Sequence, residues 1–424
     1  MSKSSLIVTH AIGNANVRAA LSGFLKGGNL NAFYTAFACF ESDLIYRLSK
    51  SGRLSEVRRR SYENDLQIFT RQHPFRELGR MIASKLKLSS LTTHESGYFC
   101  IDKVLHELDT SLAKEILNSK FIGANAVYAY EDGALEAFKA AKLKKMTCLY
   151  DLPIGYWRAA RHLMKAEIEL LPEWAPTITG FNDSESKLAR KDEELQLADE
   201  IFVASSFTKS TLSFYPKVLN NIHVIPYGFP AVAQPKVYDY SKTRKLKVLF
   251  VGGLSQRKGI AYLFDAVKDF KNAVDLTIVG NTTGVDCPVL DQALLNCNWI
   301  PSLPHAEILK LMKSMDVLVF PSLFEGFGLV ITEAMSQGTP VITTDRTAGP
   351  DVIQNGKNGW ITEAGSSDAI KACLQNIIDQ PDLLNEVGSK AYQSAAARPW
   401  SHYSNELNTA VETVLNTNTV NLVR

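Results

Sequence analysis

The stretch that decides the fold is DVLVFPSLFEGFGLVITEA, residues 316–334. Its first seven residues form an apolar, β-branched run of the length that a buried strand has. A loop with Gly326 and Gly328 follows, where the backbone can approach a ligand closely. The pattern then becomes helical, so the free amides and the positive end of the helix are predicted to face an anion.

Two carboxylates, Glu325 and Glu333, stand on either side of the predicted start of this helix. Eight residues of helix rise about 12 Å, which is roughly the reach of a sugar diphosphate from ribose to hexose. Carboxylates accept hydrogen bonds from hydroxyl groups, so one glutamate can meet each end of such a ligand, with phosphate between them. Surface glutamates that serve solubility are the alternative interpretation.

This pattern of Glu325 and Glu333, followed by GTPVI at residues 338–342, resembles the family-4 retaining glycosyltransferases. The resemblance is strong over residues 247–361 and weak before them. It implies the GT-B architecture, with the nucleotide sugar in the second domain. It also implies transfer of a hexose from a nucleotide diphosphate sugar to a hydroxyl group of a glycan, lipid or small-molecule acceptor. Retention at the anomeric carbon is implied, without a metal or another cofactor.

Strand and helix patterns alternate along the whole chain, which predicts an α/β protein with two doubly wound parallel-sheet domains. Its 424 residues exceed one ordinary core. We predict an acceptor-binding domain over residues 1–229, a linker over 230–245 and a nucleotide-sugar domain over 246–398. By analogy with the family, a last helix within residues 402–424 returns to the first domain.

The composition is that of a soluble globular protein, with 46% hydrophobic and 21% charged residues, and a net charge of +2 argues against nucleic-acid binding. No apolar run reaches the roughly 18 residues of a membrane span. The apolar part of MSKSSLIVTHAIG is too short for a signal peptide. Six scattered cysteines without metal-ligand spacing indicate reduced thiols. We therefore expect a cytoplasmic protein.

A basic segment, residues 47–87, interleaves lysines and arginines with apolar residues. Such a segment can rest on anionic lipid, which would bring the protein to the inner face of the cell membrane through residues 47–90, or it can bind an anionic acceptor. A solvated surface is the alternative.

The sequence VGGLSQRKG, residues 251–259, ends a strand and opens a helix. Cations beside helix-terminal amides suit a leaving diphosphate, whose charge grows as the glycosidic bond breaks. In the family that the chain resembles, an Arg usually stands where Gly253 is and a Lys where Lys258 is. Arg257 is the obvious substitute for the missing Arg, although its side chain can also point outward.

The resemblance assigns the other donor contacts in the second domain. Glu333 would bind the ribose diol, and Glu325 would lie near the transferred sugar. The amides of Phe327, Gly328 and Leu329, after the turn at Gly326, would complete the anion site. Residues 299–301, with Ile300 in the middle, are candidates for contacting the nucleobase, and a structural role is equally open.

In the first domain, Gly13 and Asn14 follow the first strand and are predicted to reach the diphosphate, with a plain tight turn as the alternative. Asp151 ends another strand and is predicted to be an acceptor-side catalytic residue or a helix N-cap. His10 is a further candidate. In the second domain, Asp351 lines the donor pocket or caps a helix.

Two other functions stay open at this point. A GT-B hydrolase or phosphorylase would use water or phosphate in place of the acceptor. A nucleotide-sugar-binding subunit without turnover would agree with the missing Arg at Gly253.

Overall fold

Two parallel β-sheets, one in each half of the chain, form the framework of the structure, which is a computed structural model. It describes residues 5–43, 46–47, 60–232, 234–238, 244–270 and 272–422. Within these residues the first sheet has the strand order β3-β2-β1-β4-β5-β6-β7 and the second β10-β9-β8-β11-β12-β13. The predicted fold class of two doubly wound domains is confirmed. In each sheet the order reverses beside the first strand, and open α/β sheets bind ligands at that point.

The strands are short and end at the loops that matter for function. The first sheet contains β1 (Ser5–Thr9), β2 (Leu30–Thr35), β3 (Thr70–Gln72), β4 (Ala124–Tyr130), β5 (Thr147–Leu152), β6 (Glu200–Val203) and β7 (Asn221–Val224). The second sheet contains β8 (Leu246–Val251), β9 (Val274–Val279), β10 (Asn298–Ile300), β11 (Val317–Phe320), β12 (Val341–Thr344) and β13 (Trp360–Thr362).

Helices cover both sheets. Those of the first half are α1 (Ala15–Gly27), α2 (Phe75–Lys85), α3 (Ser89–Thr92), α4 (Ile101–Leu117), α5 (Leu135–Leu143), α6 (Trp157–Leu170), α7 (Glu185–Leu197) and α8 (Ser206–Thr211). Those of the second half are α9 (Ile260–Val267), α10 (Pro288–Leu294), α11 (His305–Ser314), α12 (Leu329–Ser336), α13 (Gly349–Val352), α14 (Ser367–Asp379), α15 (Leu383–Ala397) and α16 (Trp400–Leu422). Short 3-10 segments lie at Asn64–Phe69, Pro172–Thr177, Leu212–Phe214, Gln256–Lys258 and Lys268–Phe270.

The apolar strand runs are continuous because each sheet is covered on both faces. In β1, Leu6 and Val8 pack into one core of the first domain, whereas Ile7 packs into the core on the opposite face. This division follows the two-residue period of a strand. In the second domain every residue of β11 and β12 is buried.

The last helix, α16, lies on the first domain. Its Tyr403, Leu407 and Val411 belong to the hydrophobic core that contains residues of β1 and α1. Near the middle of α16, the side chains of Asn408 and Glu412 accept hydrogen bonds from Asn29 of the first domain, at 2.9 Å and 2.7 Å. The chain therefore begins and ends its regular structure in the same domain.

The two domains touch along the loop that contains Glu325. The carbonyl oxygen of Gly326 accepts hydrogen bonds from Ser205 Oγ at 2.6 Å and from Thr208 Oγ1 at 3.0 Å. A Cβ atom at Gly326 would lie 2.0 Å from the carbonyl oxygen of Pro153. Only glycine therefore allows the two domains to approach this closely here.

Several features differ from the sequence-based expectations. The edge strands β3 and β13 were not predicted, since three residues are too few for a recognisable apolar run. Asp351 meets the first domain: its carboxylate accepts from Ser206 N at 2.9 Å and Ser206 Oγ at 3.1 Å. In the predicted linker, Lys236 Nζ donates to Thr339 Oγ1 at 2.9 Å, so its described part packs on the second domain.

The basic segment is only partly described, because residues 48–59, including Arg58 and Arg59, lie outside the described ranges. Arg60 is 6% exposed and forms a hydrogen-bonded ion pair with the buried Glu77. The sequence pattern had suggested a solvated or lipid-facing surface, and the Arg60 side chain does not belong to one. Among the described residues, no helix has both the length and the hydropathy that crossing a bilayer demands.

Candidate active site

A cavity of about 910 Å³ opens between the carboxyl ends of the two sheets. Residues after β1 form one wall, and residues at the ends of β8 and β11 form the other. The predicted residues on these walls are Gly13, Asn14, Gly253, Lys258, Glu325, Phe327, Gly328 and Leu329. The fold thus brings together, in one cavity, loops that are more than 300 residues apart in the chain.

Lys258 and Glu325 form an ion pair on the second-domain wall, with Lys258 Nζ donating to Glu325 Oε2. Arg257 Nη1 lies 3.6 Å from the same carboxylate oxygen. Burial lowers the pKa of Lys258, and the charge of Glu325 opposes this shift. The ammonium group is therefore held at the cavity wall by a carboxylate that is itself only 15% exposed.

The amino end of α12 lies on the same wall. Gly328 adopts a left-handed conformation with φ of 87°, and the helix starts at Leu329. Gly328, Leu329 and Val330 all line the cavity. Because the first amides of a helix have no partner within it, this wall offers N–H donors beside a lysine.

Arg257 is not among the residues that line the first cavity. It lines a second cavity of about 560 Å³, which shares Gly253 and Lys258 with the first. Its Nη1 donates to the carbonyl oxygen of Phe324 at 2.7 Å. A Cβ atom at Gly253, where the family has an Arg, would meet no atom within 4 Å. The assignment of Arg257 to the diphosphate stays a prediction.

Glu333 lies on α12, beyond the described lining of the cavity. His305 Nε2, at the first residue of α11, lies 3.0 Å from Glu333 Oε1. The sequence did not point to His305, because nothing in the chain before α11 marks it as a neighbour of Glu333. The role of Glu333 with a ribose diol stays a prediction, and so does that of Ile300, whose carbonyl oxygen accepts from Gly280 N at 3.0 Å.

The first-domain wall begins with a loop that His10 holds. His10 Nδ1 accepts hydrogen bonds from Gly13 N at 2.8 Å and from Ile12 N at 3.1 Å. The pKa of His10 is lowered to about 4, first by burial and then by the charge of Arg18. At neutral pH the imidazole is thus uncharged, as an accepting Nδ1 requires. His10 supports the loop and is not itself among the cavity residues.

Gly13 has φ of 72°, and a Cβ atom there would lie 1.8 Å from the hydroxyl of Tyr62. The left-handed conformation and the close contact both require glycine. Packing from behind therefore fixes the Gly13–Asn14 loop at the cavity wall, with the Gly13 amide donating to His10 Nδ1.

Asp151 does not reach the cavity. It lies within β5, is 4% exposed, and accepts a hydrogen bond from Tyr128 Oη at 2.6 Å. Burial raises its pKa to about 7, and the Tyr128 bond opposes the shift. Since β5 continues to Leu152, Asp151 neither ends the strand nor caps α6, and the prediction of an acceptor-side residue is corrected: Pro153, two residues later, lines the cavity instead.

Three arginines on the first-domain wall were not predicted as site residues. Arg18 lies on α1, Arg60 precedes Ser61, and Arg80 lies on α2, and all three line the first cavity. The sequence placed Arg60 and Arg80 in a basic surface segment because their approach to β1 depends on tertiary packing. The pairing of Glu77 with Arg80 at three-residue spacing is the one local signal that pointed to a structured charge cluster.

The comparisons with known proteins give the second domain a family. Residues 239–394 match the family described as "Glycosyl transferases group 1". A glycogen synthase of Mycobacterium tuberculosis is 28% identical over 205 residues, which are 46% of this chain and 48% of that protein. A phosphatidyl-myo-inositol mannosyltransferase of Mycobacterium leprae is 33% identical over 193 residues, 42% of this chain and 50% of that protein. The chain thus matches about half the length of these relatives.

Solved structures cover the whole chain at lower identity. A sucrose-phosphate synthase from Thermosynechococcus elongatus superposes with a TM-score of 0.63 at 15% identity, covering 98% of this chain and 100% of that one. HepE from Anabaena, solved in complex with UDP, gives a TM-score of 0.59 at 15% identity, with the same coverage. This likeness concerns the fold. Residues 239–394 therefore resemble the glycosyl transferases group 1 family, in a chain that has the two-domain GT-B fold.

Proposed function

We propose that the protein is a retaining glycosyltransferase that moves a hexose from a nucleotide diphosphate sugar to a hydroxyl acceptor in glycan or glycoconjugate synthesis. The observation that carries this proposal is the meeting of Lys258, the amino end of α12 and the Gly13 loop in one cavity. A cation and the amino ends of two helices, α12 and α1, suit a diphosphate whose negative charge grows during the reaction.

These residues would act on the leaving group of the reaction. As the bond from the anomeric carbon to the diphosphate oxygen breaks, that oxygen gains charge, and Lys258 and the α12 amides stabilise it. The acceptor oxygen forms its bond on the same face of the sugar, and its proton passes to the leaving phosphate. The protein then needs no nucleophile of its own. Glu325, which is already paired with Lys258, would orient the sugar hydroxyls and support positive charge on the ring.

The donor site is proposed to work without a metal. Among the described residues one group has the spacing of metal ligands, namely His94, Glu95 and Asp183. Lys187 Nζ lies 3.0 Å from Asp183 Oδ1, so a protein cation already pairs with one carboxylate of this group. Addition of EDTA is expected to leave transfer unchanged.

The first experiment is a thermal-shift screen of UDP-, GDP- and ADP-sugars on the purified chain. HepE was solved with UDP, which makes the uridine series the starting point. A donor at 100 times its dissociation constant stabilises the folded state by about 2.7 kcal/mol. The anomeric configuration of the product is then read by NMR. Inversion, or the absence of a shift with every donor, would contradict the proposal.

The open position at Gly253 keeps a non-catalytic binding subunit as a second candidate. A labelled donor separates the possibilities. Label in a glycoside supports the transferase, label in free sugar or sugar phosphate supports a hydrolase or phosphorylase, and tight binding without any product supports the subunit.

We also propose a cytoplasmic location with peripheral contact to an anionic membrane through α2. Its outer face exposes Phe75 (63%), Ile82 (59%) and, just after the helix, Leu86 (63%). Lys85 and Lys87 flank this apolar stripe. Replacing Phe75 and Ile82 with Glu is expected to abolish sedimentation with anionic vesicles, whereas Ile122→Glu, at another exposed site, is not. Equal sedimentation of both variants would reject this contact.

A further inference from the structure

The first-domain wall carries more positive charge than the reaction described above uses. Arg18, Arg60 and Arg80 line the cavity opposite Lys258 and Glu325. The lining residues thus include four cations and one carboxylate. Glu77, behind the wall, pairs with both Arg60 and Arg80.

The arginines are held in place by a buried carboxylate. Glu77 is fully buried and accepts from Arg80 Nε at 2.7 Å and from Arg80 Nη2 at 2.8 Å. The same carboxylate accepts from Arg60, so one acid serves two guanidinium groups. Arg60 Nε is buried without a hydrogen-bond partner among the described residues. A buried donor of this kind is costly unless a ligand or water satisfies it.

Arg18 completes the cluster from the other side. Its Nε donates to the carbonyl oxygen of Ser61 at 3.1 Å, and its guanidinium lies 5.4 Å from the centre of the Tyr62 ring. Ser61 and Tyr62 directly follow Arg60, so this packing ties α1 to the same segment. Three guanidinium groups from separate parts of the chain therefore face one cavity at fixed positions.

We propose that Arg18, Arg60 and Arg80 form a phosphate-binding subsite on the first domain. The proposal rests on the transferase function and adds a second anion site to it. Guanidinium groups bind phosphate oxygens through paired hydrogen bonds, which a buried, preorganised cluster favours. The phosphate has two possible sources. It is the diphosphate of the donor, for which the cluster replaces the cation missing at Gly253, or it is a phosphate group on the acceptor.

The test uses Arg80→Gln and Arg18→Gln in the full chain. Arg60→Gln is avoided because it would disrupt the buried pair with Glu77 and can prevent folding. Arg76→Gln is the matched control: Arg76 lies on the same helix but pairs with Glu107 at 3.1 Å and is not among the residues that line the cavity. Arg80→Lys keeps the charge without the fork and is expected to recover part of the binding.

Calorimetry measures two titrations. In the first, inorganic pyrophosphate and then UDP, GDP and ADP are added to each protein. In the second, inorganic phosphate is added to protein saturated with the nucleoside diphosphate that binds best. Arg80→Gln and Arg18→Gln are each expected to lose affinity by roughly tenfold in one of these titrations. Arg76→Gln is expected to lose affinity in neither.

The outcomes separate the sources and the hypotheses. Weaker binding in the first titration assigns the subsite to the donor diphosphate, and weaker binding only in the second assigns it to the acceptor. If both Arg80→Gln and Arg18→Gln match Arg76→Gln throughout, the subsite does not exist, and a loss of transfer in Lys258→Ala at an unchanged donor KM would still support the transferase. If pyrophosphate binds through Arg80 but no nucleoside diphosphate binds, the subsite stands and the transferase proposal fails.

Discussion

The two walls of the interdomain cavity are assembled in different ways. The second-domain wall comes from two short stretches, residues 251–258 and 320–330, at the ends of adjacent strands β8 and β11. The first-domain wall combines residues from widely separated segments, at positions 12–18, 60, 80–84, 153 and 227. A wall made of contiguous loops can be identified from sequence patterns, whereas a wall made by packing is visible only in the folded chain.

Replacement of Lys258, on the second-domain wall, is expected to have the largest effect on activity. We expect Lys258→Ala to lower kcat by about 100-fold or more while changing the donor KM little, because the charge that Lys258 stabilises is largest in the transition state. Steady-state kinetics with the donor found in the thermal-shift screen measures both constants. Lys268→Ala, an exposed lysine of the same domain paired with Asp265, is the control.

A rise of KM with unchanged kcat would contradict this assignment. It would mean that Lys258 holds the donor before the reaction and that the charge in the transition state is stabilised elsewhere. The arginines of the first-domain wall would then be the next residues to replace.

The same difference explains which parts of the molecule could be predicted. The strands of both sheets other than β3 and β13, the Lys258 corner and the Glu325 loop follow from apolar runs and glycine spacing, because parallel strands end at one edge. The Gly13 loop was found for the same reason. Asp151 was misplaced because the two-residue period of β5 puts its side chain on the same buried face as Leu149, where it meets Tyr128. Arg80 was placed only within a basic segment because Arg60, which shares the Glu77 carboxylate with it, is 20 residues away in the chain.

On the first-domain wall, His10 tests whether the Gly13 loop depends on an uncharged imidazole. Its folded-state pKa of about 4 lies below the usual 6.5. As the pH falls, His10 therefore binds a proton in the unfolded chain before it does so in the folded chain. The stability that the uncharged imidazole contributes is complete above pH 6.5 and is lost between pH 6.5 and pH 4. The loss is up to about 3 kcal/mol, since one pKa unit corresponds to about 1.4 kcal/mol.

Urea unfolding at a series of pH values measures this effect as the difference between the wild type and His10→Gln. The variant is expected to be less stable at pH 7.5 and to lose less stability on acidification. The exposed His402→Gln serves as the control. Parallel stability curves for the wild type and His10→Gln would show that His10 binds protons alike in the folded and unfolded chain, which contradicts an imidazole that accepts from the loop amides.

Gly326 tests the place where the two walls touch. The added methyl of Gly326→Ala would lie 2.0 Å from Pro153 O and 2.7 Å from Ile154 Cα, so backbone of the first domain must move. We expect a loss of about 1–3 kcal/mol in the free energy of unfolding. Gly133→Ala, where the nearest atom is 3.7 Å away, is expected to change it by less than about 0.5 kcal/mol. An unchanged stability of Gly326→Ala would mean that the domains separate readily in solution.

The smallest effect is expected at Glu333, which lies behind the second-domain wall and pairs with a single exposed His305. If Glu333 binds the ribose diol, Glu333→Ala removes two ground-state hydrogen bonds that persist in the transition state, so the donor KM rises by about tenfold and kcat stays within about twofold. Glu307→Ala, an exposed acid on α11 paired with Lys310 at 2.9 Å, controls for charge. His305→Ala sharpens the result: it frees the carboxylate, so it should leave KM unchanged or lower it. If KM rises as much in His305→Ala as in Glu333→Ala, the pair acts as one structural unit, and the ribose is bound by other residues of this wall.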